Sequence, residues 1–218
     1  MAALASQAAP APGNTFDGAG IDGPAYLDVV HAAQAAPGWF DRAADAYSTY
    51  GLALFAVLMV HGWWRARGRG DRDRAVRALA APVVTVAAFA VSSALKLLVR
   101  ELRPCQSLHV VTLEACPATG DWSFPSNHAA IAAAAAVALW FVSRRLGLVA
   151  SVCALAMAAS RVWVGAHYPH DIAAGLAVGA AVAMSLGLLV RGFAPALAGA
   201  IPRPVRTFAL GPAPEASA

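Results

Sequence analysis

Five apolar segments separated by short polar loops constrain the fold of this chain more than any other feature. They cover approximately residues 47–64, 79–99, 126–141, 148–164 and 172–190. Helical segments of about 20 apolar residues can cross the hydrocarbon core of a bilayer. Only 13% of the residues are charged, whereas an average soluble domain has about 25%. The pattern predicts an all-α polytopic membrane helix bundle with about five transmembrane helices.

The arginines predict the orientation of these helices. Eleven of the fifteen arginines lie in the segments that follow the first, third and fifth apolar stretches, and residues 65–77 alone contain six. Short loops rich in arginine face the cytoplasm, so the N-terminus and the loop 100–125 are predicted to lie outside. The same explanation accounts for the net charge of +4 and argues against a nucleic-acid partner.

The two ends of the chain differ from this apolar core. Residues 1–25 are rich in Ala, Gly and Pro, lack the basic and apolar regions of a signal peptide, and are predicted to be disordered. The short amphipathic segments 26–34 and 39–47 predict interfacial helices or a re-entrant pair, with a loose linker as the alternative. We therefore expect one membrane domain over residues 26–195, followed by a C-terminal tail at 196–218.

The first of three polar clusters lies at the predicted outer end of the second apolar segment. Lys96 and Arg103 are seven residues apart, and two turns of a continuous helix would place both on one side. Arg100 would share that broad face, and Pro104 would end the helix. A lone arginine such as Arg100 is typical of a side chain that extends to the interface. Lys96 lies inside the apolar segment, where a charge is costly, and is therefore a functional candidate.

The second cluster directly precedes the third apolar segment. Ser126 is well placed to cap a helix, and the backbone N–H groups of Asn127 and His128 would then form an anion site at its N-terminus. A single histidine in this position would be more typical of a capping or interfacial residue. His128 becomes a candidate for chemistry because two other cationic clusters are predicted on the same face.

The third cluster joins the fourth and fifth apolar segments. Ser160 and Arg161 end the fourth, and His167 and Asp171 begin the fifth. If the chain is helical from His167, its side chain and that of Asp171 share one face, and a carboxylate beside an imidazole fixes its tautomer. The guanidinium of Arg161 suits an oxyanion. Together the three clusters predict a phosphoryl site, and because none has the spacing of a dimetal centre, neither a catalytic metal nor a cofactor is expected.

The three clusters resemble the motifs of the type 2 phosphatidic acid phosphatase (PAP2) superfamily, which read Lys-x6-Arg-Pro, Pro-Ser-Gly-His and Ser-Arg-x5-His-x3-Asp. The order and the spacings agree over residues 96–171, and the corresponding stretches here are Lys96-x6-Arg103-Pro104, Pro125-Ser126-Asn127-His128 and Ser160-Arg161-x5-His167-x3-Asp171. The one departure is Asn127, which stands where the superfamily has Gly. Its backbone amide is retained, but the added side chain can alter the shape of the pocket and hence the choice of substrate.

The resemblance implies a role for each of these residues. His167 attacks phosphorus and forms a phosphohistidine, while Asp171 orients it. His128 protonates the leaving oxygen and then activates water for the second step. The phosphate oxygens are held by Lys96, Arg103, Ser126, Asn127 and Arg161.

Two nearby titratable residues lie outside the motifs. His170 is predicted to be a surface residue rather than a catalyst. Glu101 is a candidate to hold Arg103 or Arg100 in place.

The loop 100–125 also carries two of the three cysteines. Cys105 and Cys116 are predicted to form a disulfide in an oxidising exterior, with two reduced thiols as the alternative. The bond would brace the loop between Arg103 and Ser126. Cys153 lies in the fourth apolar segment and is predicted to be a small packing residue.

Within the superfamily the chain is most similar to the bacterial undecaprenyl-diphosphatase branch. This similarity implies hydrolysis of a polyprenyl (undecaprenyl or decaprenyl) diphosphate to the monophosphate, at the outer leaflet of a bacterial cell membrane, in the recycling of the cell-wall lipid carrier. The implied partners are the lipid substrate and the surrounding membrane lipids. One alternative keeps the chemistry with phosphatidic acid or phosphatidylglycerol phosphate as substrate. Another is a non-enzymatic membrane protein that binds or transports lipids.

Overall fold

The computed structural model describes residues 15–211, and this part of the chain is almost entirely helical. Its only β-type pairing is an isolated bridge between Phe16 and Glu101. The predicted all-α class is therefore confirmed. The helices are α1 (Ala19–Gln34), α2 (Gly38–Tyr50), α3 (Leu52–Gly68), α4 (Arg72–Val99), α5 (Pro104–Leu108), α6 (Asn127–Val142), α7 (Arg144–Trp163), α8 (Pro169–Ala200) and α9 (Arg203–Leu210).

Each predicted apolar segment is helical, but the helices differ in their ability to cross a membrane. Helices α4, α7 and α8 are long and apolar enough, and α2 and α3, bent by 55° at their junction, qualify together as a fourth span. Helix α6 has 16 residues, about 24 Å at 1.5 Å per residue, against a hydrocarbon core of about 30 Å. Three or four helices in the described residues therefore meet the requirement, rather than five.

Helix α6 forms the centre of the bundle, in contact with α3, α4, α7 and α8. Its alanine-rich sequence lets these neighbours approach closely. A Cβ atom on Gly179 of α8 would lie 2.1 Å from the carbonyl oxygen of Ala130, and one on Gly175 would lie 2.5 Å from that of Ser126. The Gly175–Gly179 pair therefore packs α8 directly against the backbone of α6, as small residues allow in membrane bundles. This contact brings the N-terminal ends of α6 and α8 together.

The N-terminal boundary predicted at residue 25 is wrong for the residues that the structure describes. The backbone N–H of Phe16 donates to Arg100 (3.2 Å), and that of Leu102 donates to Phe16 (2.9 Å). Helix α1 begins at Ala19, and the buried Tyr26 anchors it by donating from its hydroxyl to the carbonyl of Gly165 (2.9 Å). The disorder predicted for residues 1–14 concerns residues outside the described range.

The C-terminal boundary also differs from the prediction. Helix α8 continues to Ala200 instead of ending near residue 190, and α9 follows it. Leu210 is fully buried against Ala66 and Val76, and the indole N–H of Trp63 donates to the carbonyl of Ala209 (2.8 Å). Apolar contacts thus order a segment whose proline and arginine content suggested a tail. Residues 212–218 lie outside the described range.

Candidate active site

Most of the sequence-predicted site residues converge at one end of the bundle, where α4 and α7 end and α6 and α8 begin. Burial of so many polar groups requires compensating hydrogen bonds, and most of their contacts are to each other or to the loop 100–125. Asn127 and His128 are half-buried beside them. The buried members of the set are Lys96, Arg103, Ser126, Ser160, Arg161, His167 and Asp171.

His167 and Asp171 are paired, though through a different local structure from the one predicted. Helix α8 begins at Pro169, after His167, so the two residues do not share a helix face. Asp171 instead caps the helix: Oδ2 accepts from the backbone N–H of Tyr168 (2.9 Å) and from the hydroxyl of Ser123. The same oxygen lies 3.3 Å from Nδ1 of His167. These two hydrogen bonds hold the carboxylate in place, and the carboxylate in turn orients the imidazole.

The other ring nitrogen of His167, Nε2, faces a cation. Nη1 of Arg103 lies 3.0 Å from it. Because a guanidinium can only donate, this contact requires Nε2 to be the acceptor and places the imidazole proton on Nδ1, towards Asp171. Burial, followed by the charges of Arg103 and Lys96, holds the pKa of His167 well below its usual value. His167 is therefore a neutral imidazole with its lone pair directed at the cationic cluster.

Lys96 and Arg103 converge for a different reason from the predicted helical repeat. Helix α4 ends at Val99 because Arg100 adopts a left-handed conformation (φ 53°), so Arg103 lies beyond the helix in an extended conformation. The loop before α6 binds both side chains. The ammonium of Lys96 donates to the carbonyl oxygens of Ser123 (3.1 Å) and Trp122.

Arg103 is the most extensively bonded cation of the site. Its Nε donates to the carbonyl of Asp121 (3.1 Å), and its Nη2 donates to the carboxylate of the same residue (2.9 Å). Its Nη1 donates to the carbonyl of Ala166 (3.0 Å) besides contacting His167. The sequence analysis missed Asp121, an exposed residue in the loop before α6.

At the start of α6, Ser126 is the N-cap, as predicted, and its hydroxyl accepts from the backbone N–H of Ala129 (3.5 Å). The side chain of Asn127 points towards α4, where its Oδ1 accepts from Ser92 (2.7 Å) and its Nδ2 donates to Ser93 (3.3 Å). These two serines explain how an asparagine is accommodated where the superfamily pattern has glycine. The side chain of His128 makes no hydrogen bond within residues 15–211 and is half-buried beside the cluster.

Arg161 is held by a residue that the sequence analysis also missed. Glu114 forms a bidentate pair with it, at 3.0 Å from Nη2 and 2.7 Å from Nη1. Nη1 also donates to the hydroxyl of Ser48 in α2. A planar fork of this kind fixes the orientation of the guanidinium. Its Nε is buried without a hydrogen-bond partner in the described residues.

Cys105 and Cys116 are joined by a disulfide in the structure, and Cys153 is a free thiol in α7. The two cysteines are eleven positions apart in the sequence, and the loop that they close starts two residues after Arg103 and includes Glu114. The bond therefore links the segment that carries Arg103 to the segment that carries Glu114, the partner of Arg161. Cys153 is half-buried and packs against the main apolar core.

The two residues outside the motifs have different partners from those predicted. His170 is not a surface residue: its Nδ1 lies 2.7 Å from Asp22 of α1, and its Nε2 lies 2.9 Å from Glu101. Its ring stacks on Tyr168 at 5.3 Å. Glu101, only 1% exposed, binds this histidine and neither Arg103 nor Arg100. Burial and the charge of Asp171 raise the pKa of Glu101 to about 7.

Glu101, His170 and Asp171 also bear on the prediction that no metal is needed. Their potential ligand atoms all lie within 4.8 Å of one another. Both ring nitrogens of His170 are already engaged by Asp22 and Glu101, whereas Oδ1 of Asp171 has no hydrogen-bond partner among the described residues. A metal-free reaction stays a prediction.

Two relatives share part of their sequences with this chain. The undecaprenyl-diphosphatase BcrC of Bacillus subtilis (strain 168) is 30% identical over 129 residues, which cover 59% of this chain and 64% of that protein. A decaprenylphosphoryl-5-phosphoribose phosphatase of Mycobacterium tuberculosis (strain ATCC 25618 / H37Rv) is 38% identical over 96 residues, which cover 44% of this chain and 51% of that protein. The chain thus spans less than two thirds of the length of either relative.

A solved structure has a similar fold. The crystal structure of a transmembrane PAP2 type phosphatidylglycerolphosphate phosphatase from Bacillus subtilis superposes with a TM-score of 0.52, covering 80% of this chain and 87% of that chain. At 20% sequence identity, this likeness concerns the fold alone. It supports a multi-span helical membrane protein. The family model of the PAP2 superfamily matches residues 77–193, which is more than half of the sequence and includes all three motifs, and the chain therefore belongs to the PAP2 superfamily.

Proposed function

We propose that this chain is an integral membrane lipid phosphatase that hydrolyses polyprenyl diphosphate to the monophosphate through a phosphohistidine at His167. The environment of His167 carries the proposal. Its Nδ1 faces the carboxylate of Asp171 at 3.3 Å, and its Nε2 faces Arg103 at 3.0 Å. A neutral imidazole with this tautomer is a nucleophile whose developing positive charge the carboxylate stabilises.

In the first half-reaction, Nε2 of His167 attacks the terminal phosphorus. The P–N bond forms as the bond from phosphorus to the bridging oxygen breaks, and the polyprenyl monophosphate leaves. His128 donates a proton to the leaving oxygen. In the second half-reaction, His128 takes a proton from water, the oxygen of that water attacks phosphorus, and the P–N bond breaks. Inorganic phosphate leaves, and both histidines return to their starting states.

The cations supply the electrostatic part of this mechanism. Lys96, Arg103 and Arg161 bring three positive charges to a buried site, where they stabilise the charge on the equatorial oxygens more than they would in water. Arg103 has an additional role, because its Nη1 contacts the attacking nitrogen in the unliganded site. Transfer of this contact to a phosphate oxygen would free the lone pair of His167 when the substrate arrives.

The choice of substrate and of membrane face has further support. The similarity to BcrC favours an isoprenoid diphosphate, and the arginines at the other end of the bundle favour a site on the outer side of a bacterial cell membrane. An interfacial site admits a lipid headgroup while its tail remains in the bilayer. The second candidate substrate is phosphatidylglycerol phosphate, the substrate for which the protein of similar fold is named, with phosphatidic acid as a further lipid of the same class.

Phosphate release in detergent with a chelator present tests the proposal. Undecaprenyl diphosphate is expected to give a higher kcat/KM than phosphatidylglycerol phosphate or phosphatidic acid. His167→Ala should lower kcat by about 10⁴-fold or more, as loss of a nucleophile does elsewhere. The control is His31→Ala, an exposed histidine of α1, which should behave as wild type.

Rapid-quench experiments with a substrate that carries a phosphorus label distinguish the role of His167 from that of His128. In His128→Ala, acid-labile label should accumulate on His167, because the second half-reaction depends on the missing base. Full activity of His167→Ala would refute the nucleophile, and a requirement for added divalent metal would refute the metal-free mechanism. Release from none of the three lipids would favour a binding or transport protein.

A further inference from the structure

The end of the bundle opposite the candidate active site contains two adjoining cavities. Their volumes are about 460 and 810 Å³, and both are lined by Arg74 of α4 and by residues 142–144 between α6 and α7. The first extends to Arg65 of α3 and to Arg69, which directly follows α3, and the second extends to Arg191 of α8. Four separate elements therefore direct arginines into one continuous depression, which we call the basic groove.

Few acidic groups balance these arginines. Among the described residues at this end, the acidic side chains are those of Asp71 and Asp73, and the one ion pair joins Arg74 to Asp71 (3.4 Å). Asp71 is also the N-cap of α4, accepting from the backbone N–H of Arg74 (3.0 Å). The ion pair to Asp71 is made by Nε of Arg74. The groove thus has excess positive charge.

The larger cavity has an apolar wall as well as a cationic rim. Leu188 lies three residues before Arg191 in α8, and Met184 lies four residues before Leu188, so all three share one helix face. Trp140 of α6 lines the same cavity. The side chains of Trp140, Met184 and Leu188 are 42%, 48% and 53% exposed. An apolar surface therefore leads from the arginines towards the middle of the bundle.

The spacing between the groove and the catalytic end matches a bilayer. Arg191 follows Asp171 by twenty residues in the same helix, which corresponds to about 30 Å at 1.5 Å per residue. The hydrocarbon core of a membrane is also about 30 Å thick. The groove is consequently at the height of the phosphate groups of the opposite leaflet.

We propose that the basic groove binds an anionic phospholipid of that leaflet. Its phosphate would lie among Arg74, Arg144 and Arg191, and one acyl chain would follow Trp140 and Leu188. The positive-inside rule requires arginines at this end but not their convergence on a cavity. Free phosphate would satisfy the arginines and leave the apolar wall uncovered, whereas a lipid covers both. Basic pockets between membrane helices are known to accept such headgroups.

Native mass spectrometry of the purified full chain in detergent tests this site. Phosphatidylglycerol should bind more tightly than phosphatidylcholine. Arg74→Gln with Arg144→Gln should weaken the binding of phosphatidylglycerol on the order of 10-fold, from the approximate contribution of each cationic side chain at an anionic lipid surface. The control, Arg203→Gln with Arg206→Gln, removes the same charge from α9, outside both cavities, and should change affinity less than about two-fold on the same basis.

Three outcomes would overturn the proposal: equal losses in the two double variants, no preference over phosphatidylcholine, or displacement of the lipid by millimolar inorganic phosphate. If the groove variant cannot be isolated folded, tryptophan quenching by phosphatidylglycerol with brominated chains provides a second test. Trp140→Phe should reduce the quenchable fraction more than the control Trp39→Phe, an exposed residue of α2, and equal reductions would refute the site. Phosphate release is measured separately, so failure of the proposed activity would not affect this test.

Discussion

The two ends of the bundle carry cationic side chains in contrasting states. At the catalytic end, Lys96, Arg103 and Arg161 are less than 10% exposed and bind backbone carbonyls or carboxylates. At the other end, Arg144 and Arg191 are exposed and make no ion pair within residues 15–211. A charge is buried only when specific partners compensate its desolvation. Burial with partners therefore distinguishes the candidate phosphate-binding cations from the arginines that predict the topology.

The largest effect that follows from this contrast is expected at Arg103. Arg103→Gln removes the contacts to both His167 and Asp121 and deprives the phosphate of a preorganised donor. We expect kcat/KM for phosphate release to fall about 10²–10³-fold, the usual cost of losing one such donor. The matched control is Arg100→Gln, an exposed arginine three residues earlier, which should stay near wild type. Similar losses in both variants would remove the distinction between buried and exposed cations.

A smaller effect is expected where α1 contacts the site. A Cβ atom on Gly18 would lie 2.1 Å from Oε1 of Glu101 and 2.9 Å from Cε1 of His170, so Gly18→Ala must displace both. Asp171 would then lose its imidazole neighbour, since Oδ1 lies 3.7 Å from Nε2 of His170. We expect kcat to fall roughly 10-fold, a modest fraction of the 10²–10⁴ that acid–base groups typically contribute.

Gly20→Ala is the control for this variant, because no atom lies within 4 Å of a Cβ at that position. Alanine is also the better helix former, so the control should be as stable as wild type or slightly more stable. A wild-type rate for Gly18→Ala would show that the contacts among α1, Glu101 and His170 are not needed for catalysis.

The motif residues converge in the structure, although two of the structural reasons that predict their convergence are wrong. Helix periodicity predicts that Lys96 and Arg103 share one helix face, but α4 ends just before Arg100, which lies between them. The sequence predicts that His167 and Asp171 share a helical turn, but α8 begins after His167, and Asp171 caps its N-terminus. Motif spacing reflects the site as a whole, whereas helix periodicity concerns only continuous helices. Motif spacing therefore predicts that these residues lie close together even where the predicted local structure is wrong.

The partners of these residues could not be predicted from the sequence. Glu114 and Asp121 lie in the loop 100–125, whose path depends on the disulfide and on contacts with α7. Asp22 reaches His170 across 148 residues of sequence. Such pairs have no periodicity, because they arise only when separate helices pack. The predicted terminal boundaries failed for the same reason: tertiary contacts order residues 15–25 and α9 despite their composition.

The titration of Glu101 makes the free energy of unfolding depend on pH. Burial and the charge of Asp171 raise the pKa of Glu101 to about 7 from an ordinary value of 4.5. Between these values the folded state binds more protons than the unfolded state, so this group lowers the free energy of unfolding as the pH rises from 4.5 to about 7. Glu101→Gln removes this loss while its amide can still bind His170.

Unfolding temperatures measured between pH 5.5 and 8 provide the test. The decrease for wild type should exceed that for Glu101→Gln by a few degrees, roughly the change expected for 1 kcal/mol in a chain of this size. Asp73→Asn, which removes an exposed carboxylate at the arginine-rich end, should preserve the wild-type decrease. Parallel curves for wild type and Glu101→Gln would contradict the raised pKa.

The smallest effect is expected from the exposed arginines themselves. Arg65→Gln combined with Arg145→Gln removes two charges about 30 Å from the candidate active site, as judged from the length of the helices between them. Charges at that distance are screened in solution, where the Debye length is about 8 Å. We therefore expect kcat/KM in detergent to change less than about two-fold, which corresponds to about 0.4 kcal/mol or less in activation free energy. A loss comparable to that of Arg103→Gln would mean that the two ends are coupled through the helices, and that burial alone does not separate catalytic from topological charge.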